Sequence, residues 1–347
     1  MIVVGAGIVG LFTALKAASL GLKVAIVEAE SAGSGASGRN AGVLHVIQPP
    51  PGMLRRRLAA QGLKMYPRIL EELNVEGLKT RLVIPAFTAL QELLAPILAI
   101  TIKAIARHSK PRIVSREEAL DIEPLLNPKV RRAVIVDGYI TVNPLELISR
   151  LLEAVTREGV EVIRGKVDLV KCDANSVQAI LSNGDTIEAR VLVNAAGTGA
   201  NEIARQVGID IDIRLAAGAM TVHRGLPISS IIAWFPTTGI LETKGGAIIP
   251  WPTGDVILGP TFSKPGEKPH TQEEVVQRYS GLLREEPPQP KGYIVGYRTM
   301  SPQRDFILQD DSICRRTVHA LGIESPGLTA APAIAEILVE MVLNKLK

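Results

Sequence analysis

The sequence predicts an α/β chain: a Rossmann-like domain with a parallel sheet and a β-meander, joined to an α+β domain built on an antiparallel sheet. Three stretches carry this prediction. Met1 to Gly10, read with Glu28, opens a dinucleotide-binding βαβ unit. Val160 to Gly197 reads as a meander followed by an apolar strand ending in Asn-Ala-Ala-Gly. Ile211 to Gly259 alternates short strands with glycine and proline turns, the pattern of an antiparallel sheet.

In the opening unit, Ile2, Val3 and Val4 form a short apolar strand, and Gly5, Gly7 and Gly10 give G-x-G-x-x-G, with Ile8 and Val9 between. The first glycine serves the tight turn, the second lets backbone N–H groups approach a pyrophosphate, and the third lets helix and strand pack closely. Leu11 to Leu20 continues as an alanine-rich helix whose positive dipole end faces the phosphates. Gly21 ends it, Val24 to Val27 is a buried strand, and Glu28 stands where a carboxylate accepts both ribose hydroxyls, which disfavours NADP. This unit alone leaves NAD and FAD equally open.

Ser31 to Gly42 is rich in glycine and small residues and suits a backbone lying against a cofactor. Ser34, Ser37 and Asn40 offer hydrogen bonds there, and Arg39 a charge. Val43 to Val46 is apolar and sets His45 beside that cradle, and Gln48 to Gly52 makes a proline-rich turn. Leu54 to Leu73 is an amphipathic helix. Residues 82–126 form an insertion-like region, with a strand at Arg81 to Ile84, an apolar helix within Leu82 to Ile105, and a short strand at Arg112 to Val114. Ser115 to Glu118 is a capping-box pattern. Asn143-Pro144 caps the amphipathic helix Leu145 to Arg157.

Three strands follow Gly159, namely Val160 to Arg164, Val167 to Cys172 and Ser176 to Leu181, with Asn183-Gly184 as a hairpin turn. Thr186 to Ala189 and Val191 to Gly197 then complete the parallel sheet, with Ala195, Ala196 and Gly197 small enough to pass a cofactor. The antiparallel sheet is assigned strands at Ala219 to His223, Ile231 to Trp234, Ala247 to Trp251 and Val256 to Leu258. A helix at Thr271 to Leu283, a proline-rich link, a strand at Val318 to Gly322 and a helix at Ala330 to Leu346 finish the chain. The resulting division puts residues 1–80, 140–210 and 300–347 in the nucleotide-binding domain and residues 81–139 and 211–299 in a substrate domain.

With 347 residues, 46% hydrophobic, the chain can bury a sizeable core. A net charge of +4, scattered basic residues and 3% aromatics argue against nucleic-acid binding. Arg55-Arg56-Arg57 reads as a solvated helix face or a handle for an anionic partner. Cys172 and Cys314 lie far apart with no C-x-x-C, so neither a disulfide framework nor a metal site is expected, and a reducing cytoplasm fits. No signal peptide is expected ahead of the first strand. The Leu82–Ile105 segment carries Gln91, Glu92 and Lys103 and is broken by Pro85 and Pro96, so it is no spanning helix. It suits a buried or oligomer-facing helix, or peripheral attachment to the inner face of a membrane.

Four blocks together resemble the D-amino-acid-oxidase-like superfamily of FAD-dependent oxidoreductases over nearly the whole chain: Gly5 to Gly10 with Glu28, Gly35 to His45, Val193 to Gly197, and Gly322 to Pro332. Within it, Ser-Gly-Arg-Asn-x-Gly-x-x-His and Gly-Ile-Glu-Ser-Pro-Gly-Leu-Thr are most similar to FAD-dependent glycerol-3-phosphate dehydrogenases, with L-2-hydroxyglutarate oxidases sharing much of the first run. The resemblance implies a glutathione-reductase-like FAD fold with FAD extended and held non-covalently. Its adenosine end would lie at Glu28 and Val167, and its pyrophosphate at Gly7 to Gly10 and Ser37, with Ala29, Ser34 and Ala36 also among the cofactor-binding candidates. The isoalloxazine would lie near Gly42, Val43, Leu44 and His45 and near Gly327, Leu328 and Thr329, with Arg39, Asn40, Gly322, Glu324, Ser325 and Pro326 as further cofactor-binding candidates. A quinone or another acceptor would take the electrons.

Oxidising a secondary alcohol requires a base for the hydroxyl proton, and His45 is the candidate, with His223 in reserve. A satisfied, partly buried histidine is the competing reading of His45. His108, His270 and His319 lie outside the matched blocks. Arg298, in Gly296-Tyr297-Arg298-Thr299, offers a guanidinium fork for a small anionic substrate, and Lys244 a second charge for phosphate. Three activities remain open: oxidation of glycerol 3-phosphate, oxidation of a 2-hydroxy acid, amino acid or secondary amine, and a non-catalytic flavin-binding subunit of a membrane complex.

Overall fold

The computed structural model describes residues 1–46, 53–106, 109–236, 246–311 and 313–347. The expected turn at Gln48 to Gly52, His108 and Lys244 lie outside the described residues. Two large sheets organise the chain. The first runs in the order Ile307–Asp310, Thr317–Leu321, Leu192–Asn194, Ile2–Val4, Ala25–Glu28 and Glu161–Arg164. All its pairings are parallel except the edge pair of Ile307–Asp310 with Thr317–Leu321. Its central strands are apolar without alternation because both faces are covered. On one face pack the helices Ile8–Ser19, Met53–Glu72, Pro144–Arg157 and Gly327–Leu346, joined in one apolar core. On the other lie the meander Val167–Cys172, Val177–Leu181 and Thr186–Ala189 and the short helix Ala200–Gln206.

The second sheet has nine strands. Its order is Gly292–Met300, Arg214–Arg224, Asp255–Phe262, Ala247–Pro250, Ile231–Ala233, Leu78–Ala86, Arg132–Thr141 and Val43–Leu44, with Arg112–Ser115 also paired to Arg132–Thr141. It is antiparallel apart from the parallel contact of Ile231–Ala233 with Leu78–Ala86. Val43 and Leu44 therefore belong to this sheet although the sequence division assigns them to the nucleotide side. Gly292–Met300, Arg132–Thr141 and Ile307–Asp310 are strands not read from the sequence. In the first of these, Gly296 and Arg298 interrupt the apolar pattern.

Both elements expected of the Leu82–Ile105 stretch are present with shifted bounds, and Pro96 does not break the helix. The first residues of the stretch belong to the strand Leu78–Ala86, and the helix is Ala89–Ile105, with Pro96 inside it. Thr88 caps that helix and Gln91 completes the capping box. At Ser115 only half the expected box forms: Ser115 accepts from the Glu118 N–H, while the Glu118 carboxylate pairs with Arg112. Among the described residues one helix, Gly327–Leu346, is long and apolar enough to cross a membrane, and most of it is buried in the core.

The cysteine reading is also corrected. Cys172 and Cys314 form a disulfide across a sequence separation of 142, with Cα atoms 5.7 Å apart. It ties the end of one meander strand to the loop before Thr317–Leu321, and no C-x-x-C spacing announces it because the fold alone brings the two segments together. The spacing argument for a reducing compartment falls with it.

Candidate functional site

A cleft of about 770 Å³ is lined by residues of both large sheets and of the loop 31–42, a size within the ordinary range for ligand sites. One end lies at Glu28, Ala29 and Val167, and the other reaches His45, Phe262 and Arg298.

At the first end the glycine motif is held shut by side chains. Glu28 Oε2 accepts from the Ala6 N–H at 2.7 Å, and Oε1 from the Glu30 N–H at 2.9 Å, so the carboxylate fastens the turn as well as facing the cleft. Gly5 has φ +101°, and a Cβ there would lie 2.6 Å from the Ala195 carbonyl oxygen, so only glycine fits. Gly10 packs against the Gly5 backbone, the close helix–strand approach expected of the third glycine. Ser37 Oγ accepts from the Ile8 N–H at 2.9 Å, placing a hydroxyl over the start of the first helix.

The loop is scaffolded from within. Asn40 Nδ2 donates to the Ser37 carbonyl at 2.6 Å and Asn40 Oδ1 accepts from the Gly42 N–H at 2.8 Å, so its side chain shapes the loop. Trp251 Nε1 donates to the Ala41 carbonyl at 2.9 Å. A Cβ on Gly296 would lie 2.6 Å from the Arg39 carbonyl oxygen. That glycine lets the loop lie directly on the strand that carries Arg298.

At the far end, His45 Nε2 lies 3.4 Å from Ser325 Oγ, and the His45 backbone N–H donates to Thr329 Oγ1 at 2.9 Å. The C-terminal helix thus positions the histidine. Tyr66 Oη donates to the Leu328 carbonyl at 2.6 Å, which holds that helix start against Met53–Glu72. Arg298 is nearly buried, with its guanidinium carbon 4.0 Å from the centroid of the Phe262 ring. Its Nε and Nη1 make no hydrogen bond, and Nη1 stands 4.0 Å from Glu324 Oε2. Burial pulls its pKa below the usual guanidinium range, the Glu324 charge opposing this and Arg55 adding to it.

Glu324 is more closely engaged with Arg55, whose Nη1 lies 3.0 Å from Glu324 Oε1 with both side chains fully buried. The Leu54 and Arg55 N–H groups donate to Asp305, at 2.9 and 2.7 Å, so this aspartate fixes the helix start that presents Arg55. Neither Asp305 nor the role of Arg55 was read from the sequence. The first residue of the Arg55-Arg56-Arg57 triplet is in fact a buried member of the charge cluster.

Other candidates fall elsewhere. Gly10, Leu44, Gly322 and Thr329 stand behind the cleft wall and do not line it. His223 is corrected: it is buried within its strand, with Nε2 2.8 Å from Thr221 Oγ1 and Nδ1 2.7 Å from the Pro288 carbonyl, and it does not line the cleft. Burial lowers its pKa and the Pro288 carbonyl opposes this, which fits a structural imidazole. His319 is likewise buried, between Asn194 Nδ2 and Thr317 Oγ1, both at 3.1 Å. Among the described residues no cluster of His, Cys, Asp and Glu could hold a metal ion.

A glycine-lined trough with a carboxylate at one end, an N-terminal helix turn in the middle, and a histidine and arginine at the other defines a dinucleotide-dependent oxidoreductase. The FAD dependent oxidoreductase family matches residues 1–341, and the chain belongs to that family. It is similar to a glycerol 3-phosphate dehydrogenase of Caloramator mitchellensis, 24% identical over 99% of this chain and 73% of the relative. It is also similar to a glycerol 3-phosphate oxidase of Mycoplasma genitalium, 26% identical over 100% of this chain and 95% of the relative. The FAD-bound L-α-glycerophosphate oxidase of Mycoplasma pneumoniae shares the fold, with a TM-score of 0.87 at 22% identity over 99% of this chain and 94% of that one. Glycine oxidase from Geobacillus kaustophilus shares it equally, with a TM-score of 0.87 at 20% identity over 99% and 94%. The protein is an FAD-dependent oxidoreductase.

Proposed function

We propose that this enzyme oxidises glycerol 3-phosphate to dihydroxyacetone phosphate and passes the electrons to a quinone or another acceptor. The observation that carries the proposal is Arg298: a nearly buried guanidinium with two nitrogens unbonded at the end of the cleft that also holds His45. A buried cation with free donors calls for an anionic partner. The curated relatives named above act on glycerol 3-phosphate, which supports a phosphate over other anions.

In this reading residues 1–80, 140–210 and 300–347 hold FAD and residues 81–139 and 211–299 shape the substrate space. Glu28, Ala29 and Val167 hold the adenosine end, and Gly5 to Val9 with Ser34, Ala36, Ser37 and Ala195 to Gly197 hold the pyrophosphate, Gly10 packing the helix against the strand behind them. Arg39 to Val43 and Ile323 to Leu328 form the wall at the redox end, with Leu44, Gly322 and Thr329 supporting it from behind. When bound, FAD supplies the two-electron acceptor for the hydride that leaves the carbinol carbon. Arg298 binds the anionic group through its fork and so orients the carbinol. His45 Nε2 takes the hydroxyl proton as the carbonyl forms. Thr329 Oγ1 anchors the His45 backbone N–H, and Ser325 Oγ lies against the imidazole Nε2, both from the C-terminal helix side.

A second reading, oxidation of a 2-hydroxy acid or an amino acid, is favoured by the charge balance. Arg55 and Arg298 set against Glu324 leave one positive charge among these three side chains, which matches a carboxylate monoanion more closely than a phosphate dianion. Lys244, offered as the second phosphate charge, lies outside the described residues. Anaerobic mixing of the purified holoenzyme with glycerol 3-phosphate, L-2-hydroxyglutarate, lactate and glycine separates the readings, with flavin absorbance as the readout. Bleaching at the lowest concentration by glycerol 3-phosphate is expected. Bleaching by amino acids alone defeats the proposal, and bleaching by dithionite alone favours a non-catalytic flavin subunit.

A further inference from the structure

The helix Ala89–Ile105 is anchored on one side only. Ala95 and Ile102 are buried against the second sheet, while the opposite side carries Leu90, Leu93, Ile97 and Ile100, exposed by 60%, 73%, 60% and 69%. Their spacing of three, four and three residues, continued four residues on by Ala104, is the a/d repeat of a helix that packs against another helix. Pro96, also exposed, lies beside this seam. Only Glu92 and Lys103 among the seventeen residues are charged. Glu92 is drawn away by Arg131 Nε at 2.6 Å and Arg132 Nε at 3.3 Å, so the outward seam itself carries no charge. The capping box of Thr88 and Gln91 makes this a built helix rather than a fraying one.

We propose that this seam pairs with the same seam of a second copy of the chain, antiparallel across a two-fold axis. An apolar stripe with no charge of its own is self-complementary, as an isologous interface requires. The antiparallel arrangement sets the two Lys103 side chains at opposite ends and opposes the helix dipoles. The exposed aliphatic side chains amount to roughly 500–600 Å² per protomer, at the upper end of what monomers leave uncovered. Pairing would bury on the order of 1,100 Å² in total, the low end of a specific interface. A lipid surface is the weaker occupant, because interfacial helices carry aromatic anchors and a strongly basic polar face. This helix has no aromatic residue and a single lysine.

The test is the mass of the FAD-loaded enzyme by light scattering and sedimentation across a dilution series from micromolar to nanomolar. Wild type is compared with Leu93→Glu/Ile97→Glu, which sets like charges against each other across the two-fold, and with the milder Leu90→Gln/Ile100→Gln. A wild-type dimer is expected, with its dissociation constant weakened roughly a hundredfold or more by the first pair. Flavin absorbance and substrate reduction should be unchanged, since none of the four residues lines the cleft. Loss of flavin in the first pair shifts the decision to the second, whose substitutions are uncharged. A wild-type monomer throughout overturns the proposal, as does a dimer that neither variant weakens. Flotation of monomeric wild type with phosphatidylglycerol vesicles, lost in the same variants, would overturn it in favour of a membrane surface.

Discussion

Replacing Arg298 by methionine preserves much of the side-chain length and removes the guanidinium. The enzyme should then lose its grip on an anionic substrate without losing stability. Two charge-assisted hydrogen bonds from the fork, each worth about 1.5–3 kcal/mol, set the loss at about 3–6 kcal/mol, or roughly a hundred- to ten-thousandfold in Kd. The folded protein gains little from Arg298 while substrate is absent. Its Nε and Nη1 lack hydrogen bonds, its ion pair with Glu324 is stretched to 4.0 Å, and Glu324 keeps Arg55 at 3.0 Å when Arg298 is gone. What the variant forfeits is the contact with Phe262, about 1 kcal/mol, and relief of the uncompensated desolvation offsets it. Stopped-flow flavin reduction over a range of substrate concentrations reads Kd and the limiting rate separately, and thermal unfolding reads the rest. A Kd within threefold of wild type would refute the anion-site assignment. A Tm lowered by many degrees would show instead that Arg298 is a structural ion-pair partner.

Changing His45 to glutamine should lower the limiting rate of flavin reduction by roughly two to four orders of magnitude at near-normal Kd, and an unchanged rate removes it as the base. Changing Cys314 to serine opens a linkage spanning 142 residues, and urea unfolding should report a loss of about 2–4 kcal/mol. A reductant should reproduce that loss in wild type and leave the variant unmoved; no effect of reductant on wild type contradicts the linkage. His319 has a folded-state pKa lowered to about 4, chiefly by burial. The unfolded chain therefore binds the extra proton first as pH falls, so this stabilisation is complete above about pH 6.5 and is lost between there and about pH 4, on the order of 3 kcal/mol. Stability curves of wild type and His319→Gln should diverge in slope in that window, and parallel curves would show that His319 does not titrate there.

Much of the fold was legible because its demands fall on the backbone. Gly5 and Gly10 must be glycine where strand, turn and helix crowd together, and that need is visible in a single sequence. Glu28 is legible for the same reason, since its place follows the strand it ends. The strand Gly292–Met300 was not, because the two residues that break its apolar pattern answer to other parts of the chain. Gly296 is there to admit the Arg39 carbonyl, and Arg298 faces the cleft. Nothing local records either requirement. Cys172 and Cys314 were misread for the same reason, their pairing being a property of two distant segments.

Arg55 carries this distinction into the site. In sequence it opens a run of three arginines on an amphipathic helix, and local pattern assigns such runs to solvent. The fold assigns the first of them to a buried carboxylate 269 residues away, through a helix start fixed by Asp305, which is itself 250 residues from Arg55. Breaking a buried pair by removing one partner is far more costly than never forming it, so Glu324 is committed to Arg55 first and to Arg298 only loosely. That asymmetry suits the site: were Glu324 centred on Arg298, the guanidinium fork would be spent inside the protein. Because Arg55 takes the closer oxygen, Arg298 is kept beside a countercharge near enough to tolerate burial and too far to satisfy it, and the remaining hydrogen-bond capacity is left for whatever anion enters the cleft.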